Sequence, residues 1–307
     1  PNTVPAEICS NPAGCQSGGI GTAKGRVAEG MQYVPVASGR PNPYLSGGFF
    51  WYSKGNSSYN ALQVDLVRHL GQGLQLRGNF TWARNLDLNS AVQGAQASNQ
   101  AQMVMDRNDL HRDWGPSALG VTAQSNIFWT YELPIGRGKQ FFGRSAGLEE
   151  KLIGGWQLNG ITTLLSGFAF TPQTGSNRSG NGDTRNPDRP SLNPGFTGPV
   201  ILGQQAKWFD PNAFVMPTVG TWGNVSRGSF RGPGLAEVDL SLFKTTTLTE
   251  RLSAEFRAEC FNVQNRANFA TPNAIVFSRG AINPSAGLIS STTTTSRQFQ
   301  LGMKLIF

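Results

Sequence analysis

Residues 74–84 read Leu74-Gln75-Leu76-Arg77-Gly78-Asn79-Phe80-Thr81-Trp82-Ala83-Arg84, and apolar and polar side chains alternate along this run. Successive side chains of a β-strand point to opposite faces, so a period of two predicts a strand with one apolar and one polar face. A glycine-containing segment at 71–73 precedes the run and predicts a tight turn. The stretch therefore predicts a strand of an antiparallel sheet.

The same alternation recurs along the chain, between polar connections that are alternately short and long. It predicts further strands at 59–70, 120–133, 155–170, 236–244, 251–263 and 297–307, and an additional one at 47–54. A helical turn is expected near 148–152. Charged residues make up 14% of the chain, against roughly 25% in ordinary globular domains. This composition, with 38 glycines and 18 prolines, favours a turn-rich all-β protein.

Alternation also occurs in soluble sandwiches, so other features must identify the class. The predicted strands, of about 10 to 14 residues, exceed the usual mode of 5–6 and suit a tilted spanning strand. Alternating short turns and long loops are typical of transmembrane barrels. Charged side chains in the middle of a strand would be unfavourable if they were buried between two sheets, because they would lose their hydration. They cost little if they face the water-filled interior of a barrel. These charges are Arg251, Glu255, Arg257 and Glu259, and interface aromatics are expected at Trp82, Trp129, Tyr131 and Trp156.

The fold class predicted from these features is an all-β, antiparallel up-and-down transmembrane β-barrel in the bacterial outer membrane. We expect a partial barrel of about seven or eight long strands with long external loops. The final segment supports this class, because Phe299, Leu301, Met303, Leu305 and Phe307 form one apolar row. Its spacing of Gln300, Gly302, Leu305 and Phe307 resembles the terminal signal that the bacterial barrel-assembly machinery reads on its clients.

The net charge and the cysteines indicate which partners and which cellular compartment to expect. The net charge of +8 is scattered, without the basic stripe of a nucleic-acid binder, so we expect attraction to an anionic membrane surface and no nucleic-acid partner. Cys9 and Cys15 lie in a turn-rich segment and predict a disulfide suited to an oxidising exterior. The chain opens at Pro1 with no signal peptide, from which we expect a mature form or, preferably, a fragment.

The sequence contains few candidate residues for catalysis or ligand binding. His111 beside Asp109 and Asp113 lacks a nucleophile, so we predict no enzyme activity, no cofactor and no metal. The loop at 180–190 offers four candidate ligand contacts, for which a local network of Asp–Arg pairs is the alternative explanation. The four candidates are Asp183, Arg185, Asp188 and Arg189.

Several segments resemble the C-terminal barrel of the Oar-like TonB-dependent receptors. The resemblance runs from about Arg40 onward and rests on structural motifs without ligand residues. The motifs lie at 58–63, 131–139, 155–160, 208–214, 231–234, 239–244, 257–265 and the final strand.

The resemblance implies a barrel of about 22 strands with an N-terminal plug, preceded by a regulatory module and a segment that contacts TonB. Residues 1–307 would be the C-terminal part of such a barrel, with 1–46 as an external loop region and the plug and N-terminal modules absent. The implied partners are outer-membrane lipid, an unknown transported substrate and, through the missing parts, the TonB system. The main alternative is a secreted or surface-anchored β-sandwich used for adhesion, and a less favoured one is an outer-membrane hydrolase.

Overall fold

The computed structural model describes residues 2–36, 39–45, 53–71, 73–90, 104–183, 185 and 187–307. Within these residues, seven long strands form one antiparallel sheet. They are β1 (Ser57–Leu70), β2 (Leu74–Asp87), β3 (Ala123–Glu132), β4 (Trp156–Leu165), β5 (Leu235–Thr247), β6 (Ser253–Phe261) and β7 (Gln298–Ile306).

Each long strand pairs with its neighbours in chain order, so the sheet is a meander running from β1 to β7. A two-residue strand, Gly115–Pro116, also pairs with the end of β2. The predicted antiparallel meander is thus confirmed. The additional strand predicted at 47–54 lies mostly outside the described residues.

The strand bounds differ from the predicted ones chiefly at β4, which ends at Leu165 and does not continue to 170. Ser166 accounts for this end, because its hydroxyl accepts hydrogen bonds from the backbone N–H groups of Thr122 (2.9 Å) and Ala123 (3.0 Å). At Gly167 the chain passes so close to Gly232 that a Cβ would meet its carbonyl oxygen at 1.8 Å. The predicted continuation, Ala169–Phe170, pairs instead with Phe230–Arg231.

The pairing register places the apolar positions of all seven strands on one face, since directly opposed residues share a face of the sheet. Leu62 opposes Trp82, and Ala258 opposes Leu301. The large apolar residues of this apolar face are Leu62, Val64, Leu66, Leu70, Leu74, Leu76, Phe80, Trp82, Ile127, Trp129, Tyr131, Trp156, Leu158, Leu164, Val238, Leu240, Leu242, Phe256, Phe299, Leu301, Met303 and Leu305. The alternation thus predicted the faces of the strands correctly.

The opposite face is mainly polar. Asn79 opposes Asn126, whose amide nitrogen donates to the Asn79 side chain over 3.2 Å. Arg257 pairs with Glu255, and its guanidinium lies 4.9 Å from the ring centroid of Phe243. Of the mid-strand charges predicted for 251–263, Glu255, Arg257 and Glu259 share this face. The prediction was wrong for Arg251, which lies in the connection before β6.

The connections lie at two distinct ends of the sheet. At one, which we call the turn end, the connections are 71–73, 133–155 and 248–252, and the middle one contains helix α1 (Gly147–Ile153). At the other, the loop end, the connections are 88–122, 166–234 and 262–297. Strand β1 begins at the loop end, because Ser57, its first residue, opposes Asp87 there.

Short strand pairs and 3-10 turns organise the loop end. No helix among the described residues has the length and apolar character needed to cross a membrane. The 3-10 turns are Leu110–Asp113 and Pro211–Ala213. The remaining strand pairs are Glu7–Ile8 with Gln32–Tyr33, Cys15–Ser17 with Gly25–Val27, Ser191–Leu192 with Phe214–Val215, and Phe277–Ser278 with Ala281–Ile282.

Candidate functional site

The described residues of 2–45, 88–122, 166–234 and 262–297 pack together at the loop end, and we call this assembly the loop cap. Its largest apolar cluster joins two long connections through Phe170, Phe209, Phe214 and Val276. Phe209 packs edge-on against Phe214, with ring centroids 5.8 Å apart. With the exception of Ala83 in β2, every buried apolar residue that the structure describes lies in the loop cap. The loops therefore have a hydrophobic core of their own.

The N-terminal region joins the same assembly. Val4 and Val34 pack with Met105 and Trp222, which come from two other connections. The Sγ atoms of Cys9 and Cys15 are bonded, with Cα atoms 5.7 Å apart, and Cys9 packs against Val27 and Tyr33. The region predicted as an external loop thus contains paired strands and contributes to the cap core.

Arg227 fixes the loop cap to the sheet. Its guanidinium is 2% exposed and contacts the carboxylate of Asp87 at the end of β2. The same group donates to the backbone oxygens of Asp87 (2.6 Å) and Asp113 (3.1 Å). A buried charge is stable only when it is paired and hydrogen-bonded, and these contacts meet that requirement.

A second buried ion pair joins Arg189 to Asp113. The distance from Arg189 Nη1 to Asp113 Oδ1 is 2.7 Å, and the backbone N–H of Met105 donates to the other carboxylate oxygen over 2.9 Å. Burial raises the pKa of Asp113, and the adjacent Arg189 opposes that shift. This pair connects the 88–122 and 166–234 connections.

Asp188 is also buried. Its carboxylate accepts hydrogen bonds from the backbone N–H of Ser179 (2.6 Å) and from the Ser179 hydroxyl (3.2 Å). Burial nevertheless raises the pKa of Asp188 to about 7. The folded cap therefore holds this proton more tightly than the unfolded chain, and its stability decreases as the pH rises from near 4 towards 7.

The four predicted ligand contacts occupy different environments. Asp188 and Arg189 are buried and make the internal contacts described above. The backbone N–H of Arg185 donates to the Asp183 carboxylate over 2.8 Å. For Arg189 the structure differs from the alternative network of local Asp–Arg pairs, because its partner is the distant Asp113.

Asp183 lines an open cleft of about 500 Å³ between the N-terminal region and the 166–234 connection. The other lining groups are 20–23, 176–178, Arg40 and Gly182. Arg40 donates to the backbone oxygens of Asn2 (3.0 Å) and Gly182 (2.8 Å), and Arg178 donates through Nε to that of Pro217 (2.7 Å). A guanidinium has five N–H donors, so both arginines retain donors for an anionic group.

Two of the three residues considered for catalysis, Asp109 and Asp113, form ion pairs. Asp109 pairs with Arg112 over 2.9 Å, and Asp113 is the buried partner of Arg189. Within the described residues, no group of three His, Cys, Asp or Glu side chains is arranged to hold a metal ion.

Sequence reasoning missed the residues that assemble the cap. Arg227 lies in a loop without periodicity, and its partner Asp87 is 140 residues away. The aromatic residues of the cap core are equally dispersed. No local sequence pattern specifies these contacts.

The sheet is a single meander, its apolar face is exposed, and a packed cap lies at its loop end. These features together define the wall of a membrane β-barrel. The chain belongs to the outer membrane beta barrel domain family, whose model matches residues 8–300. This family places it in the bacterial outer membrane. A search of curated proteins and a search of solved structures found no match.

The β-sandwich alternative is therefore wrong. A sandwich covers the apolar face of one sheet with a second sheet. Here Leu62, Trp82 and Leu301 are more than half exposed, although they lie on the apolar face. The family match agrees that this face belongs to a barrel wall.

Proposed function

We propose that the chain forms part of the wall and the external cap of a TonB-dependent receptor that takes up a substrate through the outer membrane. The proposed partners are outer-membrane lipid, the TonB system, the barrel-assembly machinery and an extracellular substrate. No catalytic step is assigned. The observation that carries the proposal is the packed loop cap above a sheet with an apolar outer face, together with the sequence resemblance to Oar-like receptors.

The edges of the sheet support a larger barrel. Among the described pairings, β1 pairs only with β2 and β7 pairs only with β6. An unpaired backbone group costs several kcal/mol in hydrocarbon, so a sheet in a bilayer must be closed. We infer that additional strands join these two edges, as a large plugged barrel requires.

The cleft of the loop cap supports a binding role. Arg40, Arg178 and Asp183 place charges of both signs around a space that opens to solvent. Guanidinium groups bind carboxylates and phosphates through paired hydrogen bonds. We therefore propose that the cleft makes the first contact with an anionic or zwitterionic substrate.

Substrate depletion from a mixed medium of peptides and oligosaccharides tests the proposal. Cells that carry the intact protein should deplete at least one compound by a process that is lost on deleting the protein, on deleting TonB or on adding a protonophore. Depletion that persists without TonB would contradict the receptor function.

The cleft is tested separately with Arg178→Gln, and Arg26→Gln serves as the control. Arg26 donates to the Ala13 carbonyl oxygen (3.2 Å) in the same cap, outside the lining of the cleft. We expect slower TonB-dependent depletion only for Arg178→Gln. Equal rates for the two variants would remove the cleft from the proposal and leave the receptor function in place.

A further inference from the structure

Helix α1 at the turn end has an apolar face that is exposed. Leu148 and Leu152 are separated by one turn of the helix and are 79% and 67% exposed. Glu150 lies on the opposite side of the helix, where its carboxylate accepts hydrogen bonds from the backbone N–H of Arg137 (2.7 Å) and from the Ser145 hydroxyl. The Ser145 hydrogen bond is the main reason that the pKa of Glu150 is lowered. The polar side of α1 therefore faces its own connection, and the leucines face away from it.

The end of α1 is fixed to the apolar face of the sheet. Trp156 Nε1 donates to the Leu152 carbonyl oxygen over 3.3 Å, and the Thr246 hydroxyl donates to that of Lys151 over 3.3 Å. Lys244 Nζ donates to the Gly154 carbonyl oxygen over 2.5 Å. The last carbonyls of a helix lack intrahelical partners, so these side chains cap it.

The three capping side chains show on which side of the sheet α1 lies. Trp156 opposes Lys244 in the register, and both belong to the apolar face, as does Thr246. Helix α1 is therefore attached to the side of the sheet that contacts lipid, at the height where the strands end. Its exposed leucines continue the apolar face beyond Trp156, the first residue of β4, at the turn end.

The charges around α1 suit a phospholipid surface. The connection 133–155 contains four basic residues, Arg137, Lys139, Arg144 and Lys151, and two acidic residues, Glu149 and Glu150. Arg137, Lys139, Arg144 and Lys151 are all exposed. Amphipathic helices of this kind bind at membrane interfaces through apolar insertion and attraction to anionic lipids.

We propose that α1 is an interfacial anchor whose partner is the phospholipid headgroup region of the leaflet at the turn end. Leu148 and Leu152 insert among the upper acyl chains, and the basic residues contact phosphates. Short turns of bacterial barrels face the periplasm, so the leaflet concerned is the periplasmic one. This inference rests on the barrel fold and does not depend on the receptor function.

Depth-dependent fluorescence quenching tests the anchor. The intact protein, with Cys260→Ser to remove the free thiol, is labelled with an environment-sensitive fluorophore at Leu148→Cys, Leu152→Cys or Glu149→Cys. It is reconstituted in vesicles of phosphatidylethanolamine and phosphatidylglycerol with nitroxide lipids of graded depth. We expect labels at 148 and 152 to lie about 5–10 Å within the headgroup and acyl boundary. The label at 149 should be quenched chiefly by aqueous iodide.

Two outcomes would overturn the proposal. Equal iodide quenching at the three positions would place α1 in water. Protection of 148 and 152 from iodide without quenching by nitroxide lipids would mean that protein, and not lipid, covers the leucines. Heat-modifiable migration of each labelled protein shows that its barrel is folded, and a label at the 63%-exposed Phe142 provides an independent position in the same connection.

Discussion

In the loop cap, Phe209 and Val276 are 0% exposed, whereas in the sheet Phe299 and Met303 are 74% and 76% exposed. The two regions contain similar apolar side chains but place them in opposite environments. The cap buries them against one another, as a water-soluble domain does. The sheet displays them, because the hydrocarbon of the membrane solvates them.

Charged pairs show the reverse contrast. Arg227 and Asp87 are 2% and 12% exposed in their side chains where the cap meets the sheet, whereas Arg77 and Asp65 are 64% and 61% exposed on the polar face. The cap therefore contains buried ion pairs, whereas the polar face of the sheet leaves this pair exposed. We therefore expect substitutions at the buried ion pairs to reduce the free energy of unfolding most.

The largest effect is expected for Arg227→Met. Removing this guanidinium leaves the Asp87 carboxylate buried without a cation, which should lower the free energy of unfolding of the cap by about 3–5 kcal/mol. Arg77→Met, in the exposed pair of the sheet, should cost about 0–1 kcal/mol. Hydrogen exchange of cap and strand peptides in the intact protein measures both. Equal protection of the cap in the two variants would contradict the structural role of Arg227.

A charge on the apolar face should have the next largest effect. Leu301→Arg places a guanidinium in hydrocarbon and should destabilise the barrel by about 2–4 kcal/mol if Leu301 lies near the bilayer midplane. Gln300→Arg puts the same group on the polar face, where Glu259 opposes it. Denaturant titration in lipid vesicles compares the two variants. Similar destabilisation by both would mean that the two faces have the same environment.

A change in packing within the apolar face should destabilise the barrel less than a charge placed there. A Cβ at Gly160 would lie 2.3 Å from the Trp129 indole, whereas a Cβ at Gly78 would meet nothing within 4 Å. Gly160→Ala should therefore displace Trp129 and cost about 1–3 kcal/mol, and Gly78→Ala should cost far less. The same titration, followed by tryptophan fluorescence, measures both variants. An unchanged unfolding midpoint for Gly160→Ala would show that the indole does not need the glycine.

Phe307→Ser should have the smallest effect on the finished barrel. Phe307 is 92% exposed and lies beyond the end of β7, so few contacts are lost. If it belongs to an assembly signal with Gln300, Gly302 and Leu305, insertion should nevertheless become slower. The folded, heat-modifiable fraction in outer-membrane preparations is compared over time with that of the unsubstituted protein. Equal insertion rates would show that the spacing of Gln300, Gly302, Leu305 and Phe307 is not an assembly signal.

Much of the sheet could be predicted from the sequence, because period-two alternation is a local property. Residues 74–84 correctly gave the two faces of β2, and the final row of Phe299, Leu301, Met303 and Leu305 lies on one face of β7. The strand ends were less predictable. The end of β4 depends on Ser166 and on the close approach of Gly232, which come from tertiary contacts.

The loop cap could not be predicted, because its contacts are distant in sequence and lack a period. Arg189 was expected to pair locally but binds Asp113, 76 residues away. Asp188 was expected near a ligand, yet it is buried and bound by Ser179. In a chain with many polar loops, sequence alone does not distinguish a solvated aspartate from one that organises a core.

The central claim is that the apolar face of the sheet contacts lipid and the polar face contacts water. Spin labels placed one at a time along 298–306 of the intact protein test it most directly, through collisions with oxygen in lipid and with a nickel chelate in water. We predict an alternation of period two. Oxygen should collide most with labels at 299, 301, 303 and 305, and the chelate with those at 298, 300, 302 and 304. Uniform accessibility, or the opposite phase, would contradict the account.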